Sequence, residues 1–473
     1  MSSKKDKVFD LVVVGTGFAG LNFIDKYLEK KKNINVISPA LNKAIKSNYK
    51  KTIKVLPSQM RGKHLNIENY YQANNLRLKN NCKAIGSLGF GGLSSYWGLQ
   101  IDSYINNDQK YLKKKNINSI TKSFLEFLKK NNLIGITKLS KNLEYNNDFF
   151  IPEELSNLNK IENKEFECKK PILAFSSTKN FNGDLNKINE KKQKLTAENF
   201  YKKIKNKSKI IFHNYYLKKI IKKKNLIELI CIKNNKKKIF LAKKIVLATG
   251  TIATTKILMD FLNIKNEVKI KHHPRLLSVF FSKKKFNYNL SFTPSLLQII
   301  SKSARDYFTA DLRPGNKLIT KSIIDSFPFM SPFKFLINFL RNRLIFSNIL
   351  LDSSYSNLFM KKNKDKFDLY SKNKNLKSVL RSKNTKIFQF LLKKKIIFPM
   401  YKTFYPGDGA DYHYFGSIPF KNKGKLAVNN NCQLISSQNI HVIDGSVFDF
   451  RTNKYPLGIV AANARRVARN LSK

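Results

Sequence analysis

The sequence predicts an α/β fold in which one domain is assembled from stretches far apart in the chain. Three observations predict it. A buried-strand pattern at the N-terminus runs straight into a glycine-rich turn and a helix. A second apolar strand, more than 200 residues later, ends in another small-residue turn. Fifteen of the nineteen glycines fall in four places: 15–20, 86–98, 250 and 407–458. Glycine is used where the backbone turns with positive φ or approaches something closely, so four such places separated by Lys/Asn-rich stretches suggest one cradle built from distant segments.

The first element is Val8-Phe9-Asp10-Leu11-Val12-Val13-Val14, an almost unbroken apolar run of the kind found in parallel strands covered on both faces. It leads into Gly15-Thr16-Gly17-Phe18-Ala19-Gly20 and then Leu21 to Lys31, which has helical spacing. This is GxGxxG in the context of strand, tight turn and helix, the fingerprint of a dinucleotide site. Its glycines let a pyrophosphate sit against a helix N-terminus, where free N–H groups and the dipole favour anions. The next strand, Ile34 to Ile37, ends at Ser38 and Pro39. An acidic residue at that point commonly binds the ribose hydroxyls; Ser38 offers a hydroxyl without the charge.

Ile210 to Leu217 reads as a further strand of the same sheet. Lys243 to Leu247 is another, turning at Ala248-Thr249-Gly250 before a helix around Thr254 to Leu258. Near the C-terminus lie Asp411-Tyr412-His413-Tyr414-Phe415-Gly416-Ser417, Asn439 to Ser446 with Asp444-Gly445, and Asn453-Lys454-Tyr455-Pro456-Leu457-Gly458. A helix from Ile459 to Leu471 closes the chain.

Together with Gly91-Gly92-Leu93-Ser94-Ser95-Tyr96-Trp97-Gly98, these motifs resemble the glucose–methanol–choline (GMC) family of FAD oxidoreductases, in that family's order from residue 8 to 471. The resemblance implies a Rossmann-like FAD-binding domain from residues 1–110, 200–275 and 405–473. It further implies an inserted α+β substrate domain, built on an antiparallel sheet, with cover segments from 111–199 and 276–404. The Gly15, Thr16, Gly17, Ala19, Gly20 turn, Ser38, and Gly91, Gly92, Ser94, Ser95 and Tyr96 would then contact FAD. So would Leu217, Ala248, Thr249, Gly250, Asp444, Gly445, Pro456 and Leu457. One subgroup of the family attaches FAD covalently through the histidine of a Thr-His-Trp step. The step here is Ser95-Tyr96-Trp97, which implies non-covalent FAD.

The activity implied is oxidation of a CH–OH group, of a sugar or other polyol by likeness to sugar-oxidising members, by hydride transfer to flavin N5 with a histidine base. Of six histidines, His413 matches the family's catalytic one. The family's second catalytic residue, an Asn or His before the late proline, is replaced by Tyr455, with Asn453 two residues earlier. His272 and His273, before Pro274, match a step at the domain crossing and read as structural; His213 and His441 lie in strand patterns and read as core residues. No histidine pair has helical metal-ligand spacing, so no metal site is expected.

Composition bounds the alternatives. The chain has 473 residues, a length of roughly two to four domains, with 42% apolar residues, enough to build a core. Its four cysteines lack disulfide or zinc spacing, which fits a reducing compartment. The formal net charge of +59 invites polyanion binding. The excess is lysine spread along the whole chain, whereas arginine is the residue that reads bases and forks onto phosphates, so no specific nucleic-acid partner is expected. Nothing at the N-terminus reads as a cleavable signal, which places the protein in the cytoplasm. The apolar segment Phe333 to Leu351, broken by Lys334, Arg341 and Arg343, reads as an amphipathic helix covering the substrate domain, or else resting on a membrane. The expected partners are a small alcohol or sugar and an electron acceptor that the sequence leaves unidentified. The alternatives are an FAD-binding protein that has lost alcohol oxidation and a basic protein binding polyanions or membrane surfaces.

Overall fold

In the computed structural model the chain is mixed α/β with several sheets. The residues described are 7–39, 64–101, 112–135, 148–159, 164–178, 181–205, 209–286, 288, 294–303, 306–316, 320, 324, 328–372, 375–421, 423–451 and 455–473.

The largest sheet has eight strands. Five of them run parallel, in the spatial order Ser437–Val442, Lys236–Leu247, Val8–Val14, Asn33–Ser38, Lys209–Asn214. The centre is the Val8–Val14 strand, whose Val12, Val13 and Val14 pair with Ile245, Val246 and Leu247 on one side and Asn35, Val36 and Ile37 on the other. Both faces are covered, which is why its last four residues are all buried and apolar. The Lys236–Leu247 strand outruns the core. Its N-terminal half pairs antiparallel with Leu226–Lys233, which pairs in turn with Tyr216–Lys223. Gln433–Leu434 adds the eighth strand antiparallel at the far edge.

The first helix, Phe18–Tyr27, packs against the closing helix, Leu457–Leu471, and the latter against Lys114–Asn131. These three share a buried ionic cluster. Asp25, 4% exposed, accepts from Arg465 Nη1 and from Lys130 Nζ, each at 2.5 Å. Glu29 stands 3.4 Å from Arg465 and 3.5 Å from Lys130.

A second sheet of six strands is wholly antiparallel: Ile397–Phe404, Arg275–Ser282, Leu344–Leu351, Phe308–Pro314, Leu297–Ser301, Phe166–Lys169. The Leu376–Lys393 helix covers it, with the Ser278 hydroxyl 2.6 Å from Asn384 Oδ1. A four-stranded sheet joins Val268–Ile270, Leu358–Asn363, Lys366–Ser371 and Leu76–Lys79. A small sheet joins Gln100–Ile101, Ile172–Ser176 and Leu133–Ile134.

The single helix expected over Phe333–Leu351 is not formed. Pro328–Phe333 is a 3₁₀ turn, Lys334–Leu340 a seven-residue helix and Arg341–Arg343 a second 3₁₀ turn. Leu344–Leu351 is an interior strand of the six-stranded sheet, with Ile345, Ser347 and Ile349 buried at period two. Its isoleucines and phenylalanine pack on the pleat between two neighbours, and that tertiary pairing outweighs the helical continuity suggested by the apolar run. Among the described residues, no helix is long and apolar enough to cross a membrane. The four cysteines are free and buried.

Candidate functional site

The five parallel strands end side by side at Val14, Ser38, Asn214, Leu247 and Val442, and a cleft opens just beyond them. Crevices at the carboxyl ends of parallel strands are where open α/β sheets bind ligands. This one has about 260 Å³ of space open to the centre of a water molecule.

Its floor is the first turn. Gly15 has φ +104, and a Cβ there would lie 2.3 Å from the Ala248 carbonyl oxygen, so glycine is required by the fold. The Gly15 N–H donates to the Ile37 carbonyl and the Ala248 N–H to the Val14 carbonyl, each at 2.9 Å. Gly17 is different. Its φ of −61 suits any residue, and among the described residues a Cβ would find no atom closer than 3.7 Å. The bare backbone there serves the cleft rather than the packing. Gly17 is also the N-cap of the Phe18–Tyr27 helix, and no side chain caps it. An uncapped helix end facing a cavity attracts negative charge. The Phe18 N–H is the exception, donating to Ser94 Oγ at 3.0 Å, whose hydroxyl donates to the Gly91 carbonyl at 2.6 Å. Thr16 and Ser38 hydroxyls meet at 2.9 Å, both buried.

The opposite wall is the Ala248-Thr249-Gly250 turn and the Thr251–Phe261 helix. Gly250 caps this helix with φ +85 and has nothing of the described residues within 4 Å of where its Cβ would be. Asp444 fixes the turn. One carboxylate oxygen accepts from the Gly250 N–H at 3.0 Å and the Thr254 hydroxyl at 2.5 Å; the other accepts from the Ser446 N–H at 3.0 Å and the Ser446 hydroxyl at 2.6 Å. Burial raises its carboxyl above the ordinary value, with these donors opposing the shift. Its two oxygens are taken up in holding the helix end in place.

The third part is polar. His413 and Tyr455 stand edge to face, ring centroids 5.6 Å apart, and His273 stands 6.0 Å from His413. Asp411 holds this corner from behind: Oδ1 accepts the His413 N–H at 3.1 Å and Oδ2 lies 2.6 Å from His272 Nδ1. His272 Nε2 faces Asn357 Oδ1 at 3.1 Å. His272 Nδ1 thus faces a carboxylate, while Nε2 lies between the Asn357 side-chain oxygen and the Asn357 backbone N–H, which donates to it at 3.4 Å. Burial would lower the His272 value, but the Asp411 charge and hydrogen bond outweigh it and raise it. Asp411 is lowered for the matching reason, His272 overcoming its own burial.

Asp411→Asn is expected to cost about 3–5 kcal/mol, because it removes one partner of a fully buried, hydrogen-bonded His–Asp pair. The pH dependence has a definite sign. The raised His272 gives stability fully present below its ordinary 6.5 and lost as pH rises through its folded value. The lowered Asp411 gives stability present above its ordinary 3.8 and lost as pH falls through its folded value. Urea midpoints measured across pH should therefore fall on the alkaline side in the wild type, and that alkaline limb should flatten in Asp411→Asn.

The structure brings most of the expected residues to this one cleft. Gly15, Thr16, Gly17, Ala19, Ser38, Gly91, Gly92, Ser94, Leu217, Ala248, Thr249, Gly250, His413, Asp444, Gly445, Tyr455, Pro456 and Leu457 all line it. Three do not. Gly20 is pressed on the Gly15 carbonyl, where a Cβ would sit 2.2 Å away. The Ser95 hydroxyl turns back to the Phe90 carbonyl at 2.6 Å. The Tyr96 ring packs with Ile67 and Ile85. Asn453 lies outside the described residues. His213 and His441 are in strands, and burial lowers both, His441 to about 4.

Sequence reasoning missed the inner supports. The Tyr455 hydroxyl donates to Asp311 Oδ2 at 2.8 Å, and Arg313 Nε to the same oxygen at 2.7 Å. Asp311 and Arg313 are i and i+2 on the Phe308–Pro314 strand, hence on one face. Two opposite charges at that spacing in an otherwise apolar run were the available signal. Gln100 also lines the cleft, 1% exposed, and its amide has no hydrogen-bond partner among the described residues on either end.

The sequence matches no protein-family model and no curated protein. Among the described residues no group of three His, Cys, Asp or Glu is placed to hold a metal ion.

Proposed function

We propose that the cleft binds FAD non-covalently and that the protein oxidises a CH–OH group, of a sugar or other polyol, as a GMC-type oxidoreductase. One observation carries the reading: the bare Gly17 helix end, the open Gly250 turn and the His413–Tyr455 corner all face a single cleft at the ends of five parallel strands. That is the arrangement a Rossmann-like dinucleotide domain needs, with phosphates at the first helix and the reactive end remote from them. Gly15, Thr16, Gly17 and Ala19 would hold the pyrophosphate, Ser38 and Leu217 the adenosine side, and Gly250, Gly445, Pro456 and Leu457 the flavin side. Tyr96, which stands at the covalent-attachment position of the family, packs away from the cleft, in keeping with non-covalent binding.

FAD, when bound, supplies the hydride acceptor. The chain supplies position and proton acceptance. His413 receives the hydroxyl proton on its imidazole, with its backbone held by Asp411. The neighbouring Tyr455 ring fixes the edge of that imidazole.

The test begins with a visible spectrum before and after acid precipitation. Flavin bands that pass to the supernatant are expected; their absence, even after reconstitution with FAD, overturns the reading in favour of a basic polyanion-binding protein. His413→Ala should retain the flavin and lose about 10²–10⁴-fold in anaerobic flavin reduction by the best alcohol or sugar of a panel. Unchanged reduction sinks the base assignment.

A second reading is favoured by one contact. The Tyr455 hydroxyl is committed to Asp311, so its proton points into the inserted sheet. This suits a flavoprotein that has given up alcohol oxidation. A flavin that no alcohol or sugar bleaches would decide for it.

A further inference from the structure

We propose that the protein docks on an anionic lipid surface through the Pro328–Leu340 segment. Phe329, Phe333, Phe335, Leu336 and Phe339 are 71%, 48%, 74%, 42% and 67% exposed. Large apolar side chains so exposed and so close together mark an interaction surface. Phe335 and Phe339 are i and i+4 on the Lys334–Leu340 helix and so share a face. Ile337, on the other side, is buried and anchors the helix. Phe329 and Phe333 extend the same apolar run through the preceding 3₁₀ turn.

The surroundings are cationic. Residues 328–351 contain Lys334, Arg341 and Arg343 and no Asp or Glu. The Lys283-Lys284-Lys285 loop is tied to the same end of the sheet. Arg343 Nη1 donates to the Lys283 carbonyl at 2.5 Å, and the Phe286 N–H donates to the Asn342 carbonyl at 2.7 Å. Lys285 Nζ stands 5.5 Å from the Phe339 ring centroid. Among the described residues Glu154, 2.6 Å from Lys284, and the neighbouring Glu153 are the acids facing this loop.

Charge decides the occupant. A second copy of this chain meeting face to face would set these cations against their own kind, on a chain already at +59. A bilayer with anionic headgroups meets both halves of the patch: phenylalanines enter the headgroup–acyl boundary while lysine stems reach back to the phosphates. The proposal is independent of the flavin reading, since no residue of the patch lines the cleft.

The experiment is flotation of the full chain with vesicles of phosphatidylcholine alone and of phosphatidylcholine containing phosphatidylserine. The wild type should float with the anionic vesicles and much less with the neutral ones. Phe335→Ser/Phe339→Ser should lower partitioning at least tenfold with unchanged melting temperature, both side chains being exposed. Lys285→Ser and Lys334→Ser should each lower it roughly fivefold at low salt. Wild type that stays behind with both vesicles, or floats as well after both phenylalanines are replaced, overturns the proposal. Equal flotation with neutral and anionic vesicles overturns the anionic choice.

Discussion

Gly17→Asp is expected to abolish FAD retention while leaving the protein as stable as before, or slightly more so. The two halves of that result come from different atoms. Gly17 has an ordinary φ of −61, and the nearest neighbour of an added Cβ is 3.7 Å away, so the turn accommodates a side chain. Aspartate is also a favoured N-cap, and in place of glycine at this helix start it contributes a few tenths of a kcal/mol, up to about 1, to the folded state. The same carboxylate occupies the space and the N–H groups that a pyrophosphate would use, and repels its charge. A loss of at least a hundredfold in affinity is expected, which is about 2.7 kcal/mol. The check is flavin co-purification and titration alongside a melting curve. Flavin retained by Gly17→Asp would remove the phosphate from this helix end. Gly15→Asp is the contrasting variant: with φ +104 and the Ala248 carbonyl 2.3 Å from its Cβ, it should lose fold and flavin together.

The second large effect belongs to Arg465. Arg465→Met should destabilise by about 3–5 kcal/mol. Arg465 and Asp25 are 2% and 4% exposed and bonded at 2.5 Å, so the substitution leaves a buried carboxylate to Lys130 alone. Burial works to raise the Asp25 value, yet Lys130 and Arg465 bring it below the ordinary 3.8. Its contribution is therefore present above 3.8 and lost as pH falls through the lowered value. In Arg465→Met the loss should begin at higher pH. Urea midpoints from pH 3 to 7 would show both the drop and the moved acid limb. Lys202→Met, which removes an exposed pair with Glu198, should stay within about 0.5 kcal/mol. A similar small change for Arg465→Met would contradict the buried-cluster argument.

What was legible in the sequence were the segments whose chemistry is local. Val8–Gly20 declares itself because a central parallel strand is apolar at its core end and its turn puts residue 15 at φ +104, a local requirement that glycine meets, although the Ala248 carbonyl that also excludes a Cβ there comes from far along the chain. The Ala248–Gly250 turn and Asp444–Gly445 are readable on the same grounds. The parts that escaped depend on partners elsewhere. Leu344–Leu351 is a strand because Arg275–Ser282 and Phe308–Pro314 flank it, and nothing within the segment says so. Asp411 meets His272 across 139 positions and Tyr455 meets Asp311 across 144, so neither pairing has a spacing to recognise. One signal went unread. The chain holds 12 arginines against 78 lysines, and Arg313, Arg465 and Arg466 are all buried. Where lysine is the default cation, an arginine marks a position that needs a planar fork of donors.

The pairing of the first helix with the last has a consequence for biosynthesis. Asp25 leaves the ribosome 440 residues before the arginine that neutralises it. At roughly 5–20 residues per second, that interval is on the order of 20–90 s. Throughout it the first helix lacks the Leu457–Leu471 helix that covers its apolar face, and Asp25 has Lys130 as its one available cationic partner of the buried pair. The cleft floor is thus among the first parts translated and among the last to receive its full set of packing partners.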